Sequence, residues 1–518
     1  MKHTRHISGL TRRRFLEQLG AVGGSSLVMS AMSSWDLMAG AAGQRPQLSG
    51  RPASNTRILV LGAGLSGLVA AYELGKLGYD CRVLEARDRV GGLQWAVQRG
   101  STHTEVGGER QVCGFDEGQY VNVGPWRIPY SHEGVLGYCR ELGVPLQVFI
   151  NEAENSYFYF QGAAAGPLAN RRVRMREVRA DFTGHINELL LKAMDQHALD
   201  QLLTAEDQER LKTFLVREGY LDSSTHAYKA FENRGEGDPY DLAALLQGGF
   251  GNRLRSVPAV EGTAAAPMFQ PIGGMDQVSK GFQRAMGAER ITLNAEIRSV
   301  HQDDRGVKVV YRDTRTDQTT ELAADYVIVS MPLTIVSGLD INLSGDLMQA
   351  VKEVTYSNSA KIGLAMKRRF WEEDDHIFGG HLYSDLPIGE FSYPSCDYFT
   401  RKGVLLGLYS NGPIGNLIDQ PIAERIEYVL TQASKVHPQI RTEFESGYAV
   451  FWKKVPYSLG GYASGRNVAR RQQLSQVDNR IVIGSAATTP RSAPDWQEGA
   501  VAAGWQALES IHARAMRG

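Results

Sequence analysis

Arg57-Ile58-Leu59-Val60-Leu61-Gly62-Ala63-Gly64-Leu65-Ser66-Gly67 is the stretch whose reading decides the fold. Its first five residues form a short, apolar, β-branched run, which reads as a buried strand. Glycines at 62, 64 and 67 follow at once, and Leu68, Ala71, Tyr72 and Leu74 then recur at helical spacing. The three glycines do different things. Gly62 makes the turn, Gly64 lets backbone approach a pyrophosphate, and Gly67 packs helix on strand. The helix N-terminus then faces the phosphate charge. A second strand, Asp80-Cys81-Arg82-Val83-Leu84, ends in Glu85, whose carboxylate is placed to hydrogen-bond ribose hydroxyls. A glycine-rich turn in a helical protein would explain the glycines alone. Strand, glycine turn, helix, strand and terminal acid in order predict an α/β, Rossmann-like nucleotide-binding domain.

That domain fills only part of 518 residues, so further lobes are expected. Hydrophobic residues at 42% and charged residues at 22% exclude wholesale disorder. Lys+Arg of 56 against Asp+Glu of 57 leaves a net charge of −1, which argues against nucleic acid or an anionic membrane as main partner. Cys81, Cys113, Cys139 and Cys396 form no CxxC pair and have no nearby His cluster, so neither a disulfide framework nor a metal site is expected. At the start, Thr11-Arg12-Arg13-Arg14-Phe15-Leu16 precedes an uncharged stretch from Gln18 and a small-residue site at Ala39-Gly40-Ala41. Residues 1–41 resemble a twin-arginine export signal, which implies a periplasmic or secreted protein folded before export. Gly20, Gly23, Gly24, Ser25 and Ser26 dilute the apolar run too much for a membrane anchor, and no span is expected in the mature chain. Residues 42–55 read as a linker.

Farther along, Phe182, Ile186, Leu189, Leu190 and Ala193 trace one face of an amphipathic helix. Thr204-Ala205-Glu206-Asp207 resembles a capping box, Leu211, Phe214 and Leu215 continue the stripe, and Gly219 stops it. Asn294 to Tyr311 alternates like a hairpin around Asp303-Asp304-Arg305-Gly306, and Asp325-Tyr326-Val327-Ile328-Val329-Ser330 reads as a buried parallel strand. The nucleotide domain is therefore assembled from separated segments.

Glu85-Ala86-Arg87-Asp88-Arg89-Val90-Gly91-Gly92 resembles the second signature of glutathione-reductase-type flavoproteins, in the branch of the amine oxidases. The resemblance implies FAD, with Gly91 and Gly92 opening backbone amides to its phosphates. Where that family has Arg after the glycine pair, this chain has Leu93-Gln94-Trp95, and Arg87 or Arg89 is the expected replacement. Gly124-Pro125-Trp126-Arg127-Ile128-Pro129 is similar to a segment of the flavin L-amino-acid oxidases that lines the pocket. Taken alone, Arg127 could be a structural ion pair. The resemblance implies that it grips the substrate α-carboxylate, as a planar fork of fixed charge can, and that Trp126 and Arg127 also reach the cofactor.

The likeness continues at Ala360-Lys361-Ile362-Gly363-Leu364-Ala365. Strand alternation puts Lys361 with Gly363 and Ala365, leaving room for a ligand or water, although Lys367 on the same parity would suit a solvated face. The resemblance implies that Lys361 holds a water near the flavin and assists reoxidation by O2. Tyr409, ending Val404-Leu405-Leu406-Gly407-Leu408-Tyr409, would be the second hand on the carboxylate, and Trp496, in Asp495-Trp496-Gln497-Glu498-Gly499, would wall the pocket. Ile297, Ser485 and Gln497 are implied cofactor contacts, with Ser485-Ala486 standing where the family has Gly-Glu. No cysteine follows Cys396, so FAD is expected to be non-covalent.

The resemblance runs from Arg57 to about Ala515. It implies an FAD-binding domain over 56–130, 265–345 and 455–518, a mixed-sheet substrate-binding domain over 131–172 and 346–454, and a helical domain over 173–264. The expected activity is oxidative deamination of L-amino acids by O2, giving 2-oxo acids, ammonia and hydrogen peroxide. The alternatives are an amine oxidase for polyamines or other amines without a carboxylate, and a degenerate flavoprotein serving as a binding module. Side-chain preference is open, and a homodimer is one assembly left open with it.

Overall fold

The computed structural model describes residues 45–50, 56–196, 203–218, 220–231, 238–250, 267–412, 414–464, 468–489 and 496–517. The expected export signal at 1–41, Gly219 and Asp495 lie outside the described residues, as does most of the stretch 42–55 expected to be a linker.

Strand Arg57–Leu61 is the centre of a six-stranded sheet. It pairs in parallel with Asp80–Leu84 on one side and Tyr326–Val329 on the other. Ile291–Thr292 extends the first side; Ile481–Ile483 and the antiparallel Val477–Asp478 extend the second. Both faces are covered, which is why the run is apolar without alternation. Ile58 and Val60 enter a core shared with helices Leu65–Lys76, Asp276–Met286 and Trp496–Ala515. Leu59 and Leu61 enter a second core beneath the hairpin Ala295–Gln302/Val307–Asp313, which closes where Asp303 N–H meets Gly306 O. Helix Glu133–Glu141, within a segment expected to belong to the substrate lobe, sends Val135, Tyr138 and Cys139 into the first of these cores.

The other large sheet is mixed, with seven strands in the order Val173–Arg174, Tyr157–Tyr159, His381–Ser384, Glu390–Ser392, Gly403–Ser410, Ala360–Met366, Phe444–Phe451. One face packs on its own core around Trp371 and Phe391. The opposite face meets the nucleotide lobe through an aromatic core that includes Trp95, Trp126, Phe149, Tyr448 and Trp452. Lys361, Arg127 and Tyr409 gather at the edge of that aromatic layer. Among the described residues no helix is long and apolar enough to cross a membrane, and no His/Cys/Asp/Glu group suited to a metal occurs.

Helix Met175–Asp195 turns inward a face that only partly matches the one its apolar spacing predicts: Phe182 and Leu190 pack against small cores, but the rest of the stripe does not. Ile186 and Leu189 are 44% and 50% exposed, while Val178, Asp181, Gly184, Asn187 and Leu191 are buried. The cause is polar: Asp181 accepts from Tyr228 Oη at 2.5 Å and Tyr240 N at 2.7 Å. Gly184 lies so near the Tyr228 ring that a Cβ there would be 2.1 Å from it. Thr204 caps helix Ala205–Arg217 as expected, accepting from Asp207 N at 3.1 Å, and Leu215 is buried, but Phe214 is 56% exposed.

Candidate active site

The glycine turn has the shape of a phosphate cradle. Gly62 has φ +107° and donates its N–H to Leu84 O at 2.8 Å. A Cβ on Gly67 would stand 2.3 Å from Gly62 O, so helix and strand meet there only through glycine. Gly64 caps helix Leu65–Lys76 without any side-chain hydrogen bond, and a Cβ on it would meet nothing within 4 Å. The side of Gly64 on which a side chain would stand is therefore open, beside a helix N-terminus with no side-chain cap, the arrangement an anion needs. Gly91, at φ +105°, donates to Ala63 O at 2.7 Å, and a Cβ on Gly92 would come to 3.3 Å from Gly64 Cα. The second glycine loop thus closes directly onto the first.

Glu85 is buried beside this cradle, accepting from Ala63 N at 2.8 Å and Arg87 N at 3.0 Å. Neither candidate replacement arginine points its hydrogens only into open space. Arg87 donates to Pro456 O at 2.6 Å and Ser458 Oγ at 2.7 Å, fastening a distant turn. Arg89 donates to Gly92 O at 3.0 Å and lies 4.4 Å over the Trp95 ring, bracing the glycine pair itself. Ile297 packs against the core beneath the hairpin, and Ser485 caps a short turn by accepting from Ala487 N at 3.3 Å. An uncapped helix start, room above Gly64 and a buried acid at the end of the second strand fit a nucleotide with a pyrophosphate.

Lys361 stands on strand Ala360–Met366, opposite Tyr409 on Gly403–Ser410. It is 2% exposed, which removes the solvated-face reading; Lys367, by contrast, is exposed and donates to Thr442 O. Its Nζ donates to Gly124 O at 2.5 Å and Asn122 O at 3.3 Å, and lies 4.6 Å and 4.3 Å from the centroids of Trp126 and Tyr409. Burial first, and then the positive charge of Arg127, hold the Lys361 ammonium well below its ordinary range, against an opposing pull from Glu390. The room expected beside Gly363 is absent: a Cβ there would be 2.6 Å from Val121 Cγ1, so packing rather than a ligand fills it. Burial raises the Tyr409 phenol, which therefore keeps its proton at neutral pH.

Arg127 is half-buried, its guanidinium carbon 5.1 Å from the Trp126 centroid and 5.5 Å from that of Trp496. Trp126 in turn stacks on His381 at 5.2 Å and 22°, and Arg127 Nη1 lies 3.2 Å from His381 Nε2. Trp496 opens the last helix at φ +72° and is 46% exposed, so its ring stands at the rim. Gln497, expected to face the cofactor, spends its amide on protein: Nε2 donates to Arg127 O at 3.2 Å, and Oε1 accepts from Gln94 Nε2 at 2.6 Å. Gln94 Oε1 accepts from Ser279 Oγ, and Gln94 N–H reaches Gly91 O at 2.8 Å. A buried amide chain therefore ties the Arg127 backbone to the second glycine loop.

Four contributors escaped the sequence reading: Gln94, Asn122, His132 and His381. Gln94 had a signal, because it follows directly where the expected Arg is replaced. His132 is fully buried against the Trp496 ring at 5.9 Å, and desolvation pushes it down to about 4. Nothing local in the sequence marks His381 or Asn122, whose parts arise from strand pairing across distant segments.

The chain is 29% identical over 423 residues to the L-amino-acid oxidase of Vipera ammodytes ammodytes, covering 79% of this chain and 81% of that one. It is equally identical over 432 residues to the L-amino-acid oxidase of Daboia russelii, covering 79% and 78%. Among solved structures it is similar to cyclohexylamine oxidase from Brevibacterium oxydans IH-35A, with TM-score 0.59, 17% identity and 90% and 100% of the two chains covered. A putrescine oxidase bound to putrescine gives TM-score 0.59, 20% identity and 89% and 99% coverage. These structural likenesses speak for the fold. Residues 65–511 match the flavin containing amine oxidoreductases, and with the nucleotide cradle and buried aromatic site already described, the chain belongs to that family.

Proposed function

We propose that this flavin oxidase acts on L-amino acids, with non-covalent FAD in the cradle from Gly62 to Gly92, and that residues 1–41 direct its export. The observation that carries the reading is Arg127: a guanidinium flanked by two indoles, in the same aromatic cluster as Lys361 and Tyr409. Its fork takes a carboxylate through two parallel hydrogen bonds. The Tyr409 hydroxyl, protonated at neutral pH, donates to the same carboxylate. With the carboxylate held, the Cα–H is aimed in one direction, and orientation is most of what the chain must supply. FAD held in that cradle would supply the acceptor for the hydride equivalent and the route of the electrons to O2.

No side chain in the cluster is needed as base if the amino group enters neutral. Two of the three ammonium hydrogens of Lys361 go to carbonyls, leaving one to hold a water or O2. Trp496 closes the rim over the amine side. The imino acid that leaves is hydrolysed by water to a 2-oxo acid and ammonia.

The relatives named L-amino-acid oxidases support this substrate class. A second reading, oxidation of amines without a carboxylate, draws on the solved neighbours, which are named putrescine oxidase and cyclohexylamine oxidase. Arg127 weighs against it, because a fixed cation repels the ammonium form of such a substrate and gives it nothing to bind. A peroxide-coupled screen of the twenty L-amino acids, with D-isomers and decarboxylated amines as controls, decides between them. Peroxide from amines alone would overturn the proposal.

A further inference from the structure

His381 stands at the guanidinium of Arg127, although no motif points to it. It is buried, at the start of strand His381–Ser384, with its ring flat on Trp126. Nδ1 lies 2.9 Å from Ser392 Oγ, and that hydroxyl donates to Gly380 O at 3.1 Å. A serine has one hydroxyl hydrogen. With that hydrogen given to a carbonyl, the Ser392 oxygen accepts, so the hydrogen on the His381–Ser392 bond belongs to Nδ1. Nε2 of the neutral ring is then a lone pair, and it faces Arg127 Nη1, which can only donate, at 3.2 Å. Asn151 Oδ1 stands 3.2 Å from Nε2; because a bare Nε2 has no hydrogen to give it, the amide is assigned in the reversed orientation, with Nδ2 donating to the same lone pair.

We propose that neutral His381 is a positioning residue for Arg127, an in-plane hydrogen-bond acceptor that fixes the rotation of the guanidinium so that its remaining N–H fork meets the substrate carboxylate. The proposal rests on reading Arg127 as the carboxylate clamp. Trp126 and Trp496 attract the cation through their ring faces, an attraction that does not itself set rotation within the guanidinium plane. The Gln497 bond fixes only the Arg127 backbone carbonyl. The His381 acceptor at the edge of the guanidinium supplies a constraint within that plane. It also moves the ordering of a long side chain from the binding step to folding, where it no longer weakens affinity.

The test uses flavin-loaded protein and benzoate as a carboxylate probe, titrated against flavin absorbance. It is paired with kcat/KM for one L-amino acid and its decarboxylated amine. His381→Phe keeps the stack on Trp126 and deletes the acceptor, whereas His381→Gln retains an acceptor oxygen. The expected result is a benzoate Kd raised roughly tenfold or more in His381→Phe, with kcat/KM for the amino acid falling at least that much further than for the amine. His381→Gln recovers most of both. An unchanged benzoate Kd in His381→Phe, equal losses on both substrates, or a Gln variant as impaired as the Phe variant overturns the proposal. A wild-type protein that oxidises amines but neither binds benzoate nor oxidises amino acids defeats the clamp reading itself. That outcome is distinct, since it appears before any variant is made.

Discussion

Lys361 and Tyr409 face each other across paired antiparallel strands, with the lysine Nζ 4.3 Å from the centre of the phenol ring. The same nitrogen binds the carbonyls of Asn122 and Gly124, so it also secures the segment that leads into Arg127. Lys361→Met keeps most of the volume and deletes the charge. Anaerobic stopped-flow should show near-normal flavin reduction by substrate, then a return to yellow on mixing with O2 that is slower by one to three powers of ten, about 1.4 kcal/mol for each. Slowed reduction with normal reoxidation would assign Lys361 to fastening the 122–127 segment instead.

The glycines of the cradle should separate folding from loading. A Cβ on Gly67 collides with Gly62 O at 2.3 Å, so Gly67→Ala is expected to lose stability and flavin together. A Cβ on Gly64 meets no protein atom within 4 Å, so Gly64→Ala should fold normally and bind FAD more weakly. Thermal unfolding of the flavin-free proteins, alongside FAD titration, reads both. A Gly64→Ala variant with wild-type FAD affinity would move the pyrophosphate away from this helix N-terminus.

Flavin should leave the chain on acid precipitation, because no cysteine follows Cys396 to form a C-terminal thioether. Yellow colour remaining in the washed precipitate would show a covalent link.

Acid should weaken the fold through His132. Its folded pKa is pushed down to about 4 by burial, while the unfolded value is about 6.5. Between those values the unfolded chain binds the proton first. Stability from this group is therefore whole above about pH 6.5 and declines as pH falls toward 4, by at most about 3 kcal/mol. His103, also pushed to about 4, adds to the wild-type slope, so the difference between wild type and His132→Phe isolates this residue. Urea unfolding from pH 4.5 to 7 should show a shallower slope for the variant; parallel curves would mean that His132 titrates normally.

Much of this was legible in the sequence because it is local. The run from Arg57 through Gly67 to Glu85 encodes strand, turn, helix and acid within one βαβ unit, and the structure forms each in that order. What was illegible is set by contacts between distant segments. The inward face of Met175–Asp195 follows Tyr228 and Tyr240 on Asp181, which apolar spacing does not register. Gln497 was expected on the cofactor, yet its partners Gln94 and Arg127 arrive from the opposite end of the chain. Gly363 suggested open space, and Val121 fills it from a strand that no pairing rule predicts.

The proposed carboxylate clamp is tested most directly by kcat/KM for an L-amino acid and its decarboxylated amine in wild type and Arg127→Ala. Hydrogen bonds to charged groups are worth roughly 1.5–3 kcal/mol each, so losing a bidentate pair should cost the amino acid several kcal/mol of transition-state binding. The expected result is a wild type that strongly prefers the amino acid and a variant in which that preference collapses by about two or more powers of ten, with the amine far less affected. Equal proportional losses on the two substrates would show that Arg127 is structural and contradict the assignment.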